Sequence, residues 1–298
     1  MPIQTTRAVG SAKGYGFSSA AAAGEGALGY YGLEYSDFDS VGPITFTSSV
    51  IQSQYNSTSN TDDTLDGFID RPRSRLYGGY NTASYYNLTA SPSAIYNNNA
   101  NFYTHSGRVD FNGQTASGID SNGRGVTVAY LSDAARTPVI CIGQTDAKVS
   151  VFDINTNFLG ILDLSGSGLS GSTDLRGLCW DGQHLCVGIP SNATIYRYIL
   201  PASASGTQSL PLSSSHSAPH GTFYGMGWLG DSYVTLSDAD SGATISQFRE
   251  DPTSPGNHNT LRTFATGVSI YGLKIDYKDR VMVAGSYSGR TYYTYKGV

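Results

Sequence analysis

Leu175–Leu200 reads LRGLCWDGQHLCVGIPSNATIYRYIL, Phe223–Glu250 reads FYGMGWLGDSYVTLSDADSGATISQFRE, and Ile270–Gly297 reads IYGLKIDYKDRVMVAGSYSGRTYYTYKG. Each runs through a glycine, a short apolar strand, a tight polar turn, a second apolar strand, another polar turn, and a strand that ends in an aromatic. Gly177, Gly225 and Gly272 stand 48 and 47 residues apart. A fourth copy lies upstream, from Gly125 through VICIGQTDAKVSVFDI at Val139–Ile154. The closing aromatics Phe152, Tyr198, Phe248 and Tyr295 then follow one another at 46, 50 and 47 residues. Two independent landmarks that keep one period mark a structural repeat.

A unit of about 40 to 50 residues with several strands resembles the blade of a β-propeller. The expected fold is therefore all-β, a small β-propeller preceded by an irregular N-terminal arm. Four blades are clear, and a fifth arises if the Tyr/Asn-rich stretch Leu76–Ser106 is a degenerate blade, since Gly78 precedes Gly125 by 47 residues. The chain divides into residues 1–70 as arm or docking segment, 71–107 as Tyr/Asn-rich connection or degenerate blade, and 108–298 as propeller.

Second strands such as Val139–Ile142 and Leu185–Val187 are continuously apolar, as strands buried on both faces must be. Third strands such as Thr194–Ile199 alternate. Outer strands are expected at Phe158–Leu164, Thr207–Leu212 and Leu261–Phe264. The closing aromatics, together with Trp180 and Trp228 at equivalent places in successive repeats, are expected to pack between blades, with a ligand-stacking platform as the alternative for the two tryptophans. The last repeat lacks an outer strand in sequence, and an open sheet edge is an aggregation hazard. Arg108–Phe111 is expected to supply that strand and join the two ends of the ring. Gly42–Ile51 alternates well enough to be one further strand.

Charged residues make up 14% of the 298, and 36 Gly, 22 Tyr and many Ser, Thr and Asn take their place. This mixture favours strands and turns over helices. The net charge of −5 provides no electrostatic footprint for nucleic acid or for an acidic membrane surface. No stretch is long enough to span a bilayer, and the first residues carry no apolar export signal. Synthesis in a cytoplasm is expected. The three cysteines, Cys141, Cys179 and Cys186, sit in apolar settings that favour buried free thiols, with a Cys179–Cys186 bridge across a hairpin as the alternative.

Catalytic signatures are missing from the sequence: no GxSxG elbow, phosphate-binding glycine loop, HExxH or CxxC occurs. His216 and His220 are four apart, but Pro219 and the neighbouring serines argue against a helix that would align them, so solvated loop histidines are expected. Asp62, Asp63 and Asp66 lack calcium-loop spacing. No metal, no cofactor and no enzymatic activity are expected. The turns between second and third strands share one propeller face. Their Gln144, Asp146, Asn192, Asp238, Asp240 and Tyr287 suit sugar hydroxyls or a protein surface, while Asp238 and Asp240 also suit a hairpin turn for backbone reasons alone.

The small-residue segment from Gly10 to Gly24, with Lys13, Tyr15 and Phe17, buries too little apolar area to fold alone and is expected to order against a neighbouring subunit. Such an arm, the missing signal peptide and the Tyr/Asn/Ser/Gly-rich β body together resemble a tailed-bacteriophage virion protein of the tail, fibre or adaptor type. That resemblance implies a non-enzymatic structural role and host-cytoplasmic synthesis with residence in the virion. It further implies an oligomeric setting, with other virion proteins contacted through residues 1–70. The alternative is a receptor-recognition module that binds a cell-surface glycan.

Overall fold

A computed structural model describes residues 46–55, 67–70, 75–79, 83–88, 105–110, 125–167, 169, 174–189, 192–220, 223–230, 232–237, 244–265, 272–276, 281–285 and 291–297. Among these, the strands form five sheets, antiparallel in every pairing but one. The first strands are β1 (Phe46–Tyr55), β2 (Gly67–Asp70), β3 (Arg75–Gly79), β4 (Ala83–Leu88) and β5 (His105–Asp110). Then come β6 (Val126–Tyr130), β7 (Pro138–Gly143), β8 (Lys148–Asp153), β9 (Phe158–Asp163), β10 (Gly177–Trp180), β11 (Leu185–Gly188), β12 (Thr194–Tyr198), β13 (Gly206–Ser209) and β14 (Ser214–Ser217). The last are β15 (Gly225–Trp228), β16 (Tyr233–Ser237), β17 (Thr244–Glu250), β18 (His258–Ala265), β19 (Gly272–Asp276), β20 (Val281–Gly285) and β21 (Thr291–Gly297).

The sheets are β2-β3-β4-β5, β6-β7-β8-β9, β10-β11-β12-β14, β15-β16-β17-β18 and β19-β20-β21-β1, each named from its innermost strand outward. The innermost strands touch in a closed cycle: β2 meets β6, β6 meets β10, β10 meets β15, β15 meets β19, and β19 returns to β2. This is a five-bladed β-propeller. The Tyr/Asn-rich stretch supplies the fifth blade, whose inner strand begins earlier than its spacing implied, at Gly67.

The repeat glycines have a packing cause. A Cβ placed on Gly225 would lie 2.6 Å from the Leu273 nitrogen and 3.2 Å from the Gly272 backbone. One on Gly125 would lie 2.8 Å from the Arg176 carbonyl oxygen, and one on Gly177 would meet the Phe223 and Met226 side chains at 3.4 and 3.3 Å. Each glycine thus abuts the following blade, and at Gly125 and Gly225 only a bare backbone lets the inner strands converge, while Gly177 meets side-chain atoms at the edge of contact.

Between blades, each apolar strand feeds two seams because its side chains alternate. In β7, Val139 and Cys141 join the seam toward the third blade, while Ile140 and Ile142 join the seam toward the first. The third-strand aromatics are fully buried and face the preceding blade: Phe152 packs near Tyr77, Tyr198 joins the aliphatic seam of the second and third blades, and Phe248 joins Phe223 and Tyr233. Trp180 and Trp228 are half-buried at the ends of β10 and β15, packed against the second-to-third and third-to-fourth seams respectively. Tyr295 pairs with Met282 in the β20–β21 ladder, and its side chain lies outside the described residues.

Two strand assignments change. Arg108–Asp110 does not complete the last blade: it lies in β5, paired with β4 through Ser84–Asp110 and Tyr86–Arg108, because the first blade needs its own outer strand. The last blade is completed instead by β1, whose Phe46 pairs with Gly297 and whose Tyr55 pairs with Thr291. Likewise, Thr207–Ser209 is not the third blade's outer strand. It belongs to β13, which adds in parallel to the edge of β9, while the serine-rich β14 takes the outer place beside β12. The sheets therefore draw on residues from Phe46 onward, and divisions at 70 and 107 fall inside the first blade.

Candidate functional site

The residues singled out on the β7–β8 and β11–β12 turns are engaged in holding those turns. Gln144 is 2% exposed, its side-chain amide donates to the Ser150 hydroxyl, and its backbone carbonyl accepts from the Leu175 nitrogen at 3.0 Å, which ties the second blade to the third. Asn192 donates to the Tyr196 hydroxyl at 2.8 Å and accepts from the Thr194 hydroxyl at 2.8 Å. Asp146 is exposed, 3.9 Å from the Lys148 ammonium. Asp238, Asp240 and Tyr287 lie outside the described residues, as do Lys13, Tyr15 and Phe17.

A denser polar constellation sits at the other edge of the sheets, where β10 turns into β11 and β15 into β16. It spans the seam between the third and fourth blades. Asp181 opens the β10–β11 turn, which Gly182 passes with φ +96°. One Asp181 carboxylate oxygen accepts from the Gln183 and His184 nitrogens at 2.9 and 2.6 Å; the other lies 3.2 Å from His184 Nδ1. Arg197 is the single cation of β12, in register with Cys186. Its Nε donates to the Tyr233 hydroxyl at 3.0 Å, and its terminal nitrogen donates to Glu250 Oε2 at 2.7 Å. The Tyr233 hydroxyl in turn reaches Asp181 at 3.4 Å and the Cys186 thiol at 3.5 Å. One guanidinium thus links a turn of one blade to two strands of the next.

The environment fixes the charge of each group. Burial pushes the Asp181 carboxyl up, yet the hydrogen bonds from His184 and Gln183 outweigh it and hold Asp181 below the usual carboxylate range. Glu250 is likewise raised by burial but lowered more by Arg197. Burial opposes the charge on Arg197, and Tyr233 and Glu250 more than restore it. Burial drives the Tyr233 hydroxyl well above its ordinary value, aided by Cys186 and Asp181, and burial raises the Cys186 thiol. Near neutral pH these five groups are locked as two carboxylates, one guanidinium, one phenol and one thiol. General acid–base work wants a group that titrates near the working pH, and nucleophilic sulfur wants a lowered pKa. None of these five groups answers either description, and what their arrangement supports is ion pairing.

Behind Tyr233 stands His216, 2% exposed, with ring centroids 5.1 Å apart. Its Nδ1 bonds the Ser217 carbonyl at 2.9 Å and its Nε2 has no hydrogen-bond partner. This differs from the solvated loop expected from sequence: β14 pairs with β12 and turns the ring into the seam. His258 bonds the Ser217 hydroxyl at 2.8 Å, and His220 bonds the Ser246 hydroxyl. Cys179 and Cys186 are direct partners across the β10–β11 ladder, and both are free thiols. Among the described residues, no group of three or more His, Cys, Asp or Glu is placed to hold a metal ion.

At the surface of this seam lies a pocket of about 300 Å³, lined by Arg197, Trp228, Tyr233, Arg249, Glu250 and Pro252. The Trp228 and Tyr233 rings meet edge-to-face with centroids 4.6 Å apart, which holds the indole in place. Arg249 is exposed at the mouth, and its guanidinium makes no ion pair among the described residues. Sequence reading did not assemble this site because its members come from four strands and the turn that follows the last of them. The signals in the sequence were Trp228 and Arg197, the one charge in β12, set between two tyrosines.

No protein-family model and no curated protein sequence matches the chain. Among solved structures, the chain is similar to the β-propeller domain of Myceliophteria thermophila Cps50 (Swd1), with 11% identity and a TM-score of 0.38, over 75% of this chain and 66% of that one. It is also similar to a chain of the mitotic checkpoint complex, with 7% identity and a TM-score of 0.41, over 84% of this chain and 94% of that one.

Proposed function

We propose that the chain is a non-enzymatic scaffold, a structural component of a tailed-bacteriophage particle associated with its tail or fibre. The observation that carries the reading is the pairing of β1 with β21. A ring closed by Phe46–Tyr55 has all five of its sheets without residues 1–45, so those residues are joined to a finished ring at the outer edge of its last blade. The low charge and the Tyr/Asn/Ser/Gly-rich body agree with this role. So does the seam cluster, whose groups are locked in charge near neutral pH. Residues 1–45 dock the ring onto neighbouring virion proteins by ordering against them.

Two truncations test the proposal during assembly of the particles that carry the protein. A chain lacking residues 1–45 folds with an unchanged melting temperature and is left out of particles. A chain lacking residues 1–55 loses the closing strand and its cooperative unfolding. Incorporation of the shorter truncation at the level of the full chain refutes the docking role.

A second reading, recognition of a cell-surface saccharide, is favoured by one observation: the seam pocket presents an anchored indole beside a guanidinium that makes no ion pair among the described residues.

A further inference from the structure

The seam pocket is specific enough in its chemistry to name a ligand class. Its lining carries two arginines and one glutamate, and Asp181 stands 3.8 Å from Arg197, so Arg197 is balanced by carboxylates and the charge left to the pocket is that of Arg249. Arg197 is already committed: its Nε is spent on Tyr233 and a terminal nitrogen on Glu250, and its side chain is only 15% exposed. Arg249 is the cation left over. An exposed guanidinium with two parallel N–H groups is matched by a planar carboxylate.

The other walls restrict what that carboxylate is attached to. Trp228 is pinned edge-to-face against Tyr233, so it offers a rigid aromatic surface at small entropic cost. Glu250 accepts from Arg197 at Oε2 and from the Gly256 nitrogen at Oε1 at 3.3 Å, and a carboxylate oxygen has a second lone pair for a further donor. Pro252 adds a second apolar edge. A volume of about 300 Å³ is at the small end of ligand sites. A compact ring with one C–H face, several hydroxyls and one carboxylate answers all four features. A neutral sugar leaves Arg249 unanswered, and a fatty acid leaves Glu250 unanswered.

We propose that the pocket between the third and fourth blades binds a carboxylate-bearing sugar, with Arg249 pairing the carboxylate, Trp228 stacking on the ring's C–H face and Glu250 accepting from its hydroxyls. This rests on the saccharide reading above. It moves that reading from the turns of Gln144, Asp146 and Asn192 to the opposite edge of the sheets.

The full chain is titrated with methyl glucuronide, methyl glucoside and an acidic tripeptide. Only two tryptophans are present, so the Trp180→Phe variant makes Trp228 the sole indole reporter. Saturation-transfer NMR on the unmodified chain reads binding wherever it occurs. The expected result is that glucuronide changes Trp228 fluorescence with a millimolar Kd and that glucoside binds at least tenfold more weakly. Arg249→Gln weakens glucuronide about tenfold with no change in melting temperature. Glucuronide transfer that leaves Trp228 and Arg249→Gln indifferent overturns the site while sparing the saccharide reading. No transfer to either sugar overturns both. A Trp228 response to the tripeptide alone overturns the sugar in favour of a peptide ligand.

Discussion

Replacing Gly225 by alanine tests the claim that the repeat glycines exist to let inner strands converge. The new methyl would stand 2.6 Å from the Leu273 nitrogen and 3.2 Å from two Gly272 backbone atoms. Those atoms belong to β19, held in place by the pairs Gly272–Gly285 and Leu273–Ala284, so no side chain can swing away to make room. Relief requires about 1 Å of separation between adjacent blades in a ring that has no slack. Overpacking costs about 1–3 kcal/mol where side chains can adjust, and a purely backbone clash belongs at or above the top of that range. At about 3 kcal/mol, and about 2–4 °C per kcal/mol for a chain of this size, the melting temperature falls by about 6–12 °C. Gly177→Ala is the control, since its methyl would meet only the Cβ atoms of Met226 and Phe223 at 3.3 and 3.4 Å. Its steric cost is set against about 0.4–1 kcal/mol gained by restricting the unfolded chain, so the net change stays within about 1 kcal/mol. Urea unfolding with matched m-values, beside thermal scans of both variants, makes the comparison. Equal losses in the two variants, or a Gly225→Ala protein as stable as the parent, would refute the convergence argument.

Two further outcomes follow from the third-to-fourth seam. Arg197→Met leaves Asp181 and Glu250 facing each other across the seam without their cation, and its unfolding free energy drops by about 2–3 kcal/mol, below the full cost for a deeply buried pair because Glu250 is 32% exposed. Glu250→Gln costs about 1 kcal/mol, because an amide oxygen still accepts from Arg197; a larger loss from Glu250→Gln than from Arg197→Met, measured by urea unfolding, contradicts the linkage. The protein is also acid-labile. Burial lowers the pKa of His216, of His220 and of His258, so the unfolded chain binds protons that the fold refuses, and stability falls as pH drops below about 6.5. Asp181 and Glu250, lowered in the fold, contribute stability that is present above their unfolded values and is lost as pH falls through their folded ones. His216 faces Arg197, Glu250 and His258, and His216→Gln removes up to about 1.4 kcal/mol per pH unit of slope below pH 6.5. An unchanged slope in melting curves from pH 7.5 to 5 excludes His216 as the source.

The propeller was legible because two features repeat for different physical reasons. Glycine recurs where inner strands touch, and an aromatic recurs where a third strand faces the blade before it. The first blade was legible only as a possible degenerate blade, because its inner strand starts at Gly67, 58 residues before Gly125. Gly78, which keeps the period, is instead the partner of Gly67 across the β2–β3 ladder, so the spacing landed one strand late. The outer strands were read least well, since a strand at the rim buries little and needs no apolar pattern. β13 is almost wholly exposed and β14 reads Ser-Ser-His-Ser, so Thr207–Leu212 looked equally strand-like. Arg108 was assigned to the ring closure by its place before the first clear repeat, whereas pairing is decided by which edge is vacant when the chain arrives.

The seams also differ in kind, and that difference bears on function. Between the second and third blades the contact is a long aliphatic run, from Ala129 and Val139 to Leu178 and Leu185. Between the third and fourth, the cluster is shorter and contains two thiols, a methionine and three aromatics, with the Arg197 network laid over one end. A buried ion pair adds little net stability over well-packed hydrocarbon, because desolvation consumes most of the attraction. What it adds is geometry: a guanidinium with fixed partners on Tyr233 and Glu250 admits one relative placement of β12, β16 and β17, where aliphatic contacts tolerate sliding. The pocket opens at this seam, and its walls Trp228, Arg249 and Glu250 all come from the fourth blade while its floor, Arg197, comes from the third. A site assembled from two blades keeps its shape only if the blades keep their register, and the charged lock stands where that register must be held.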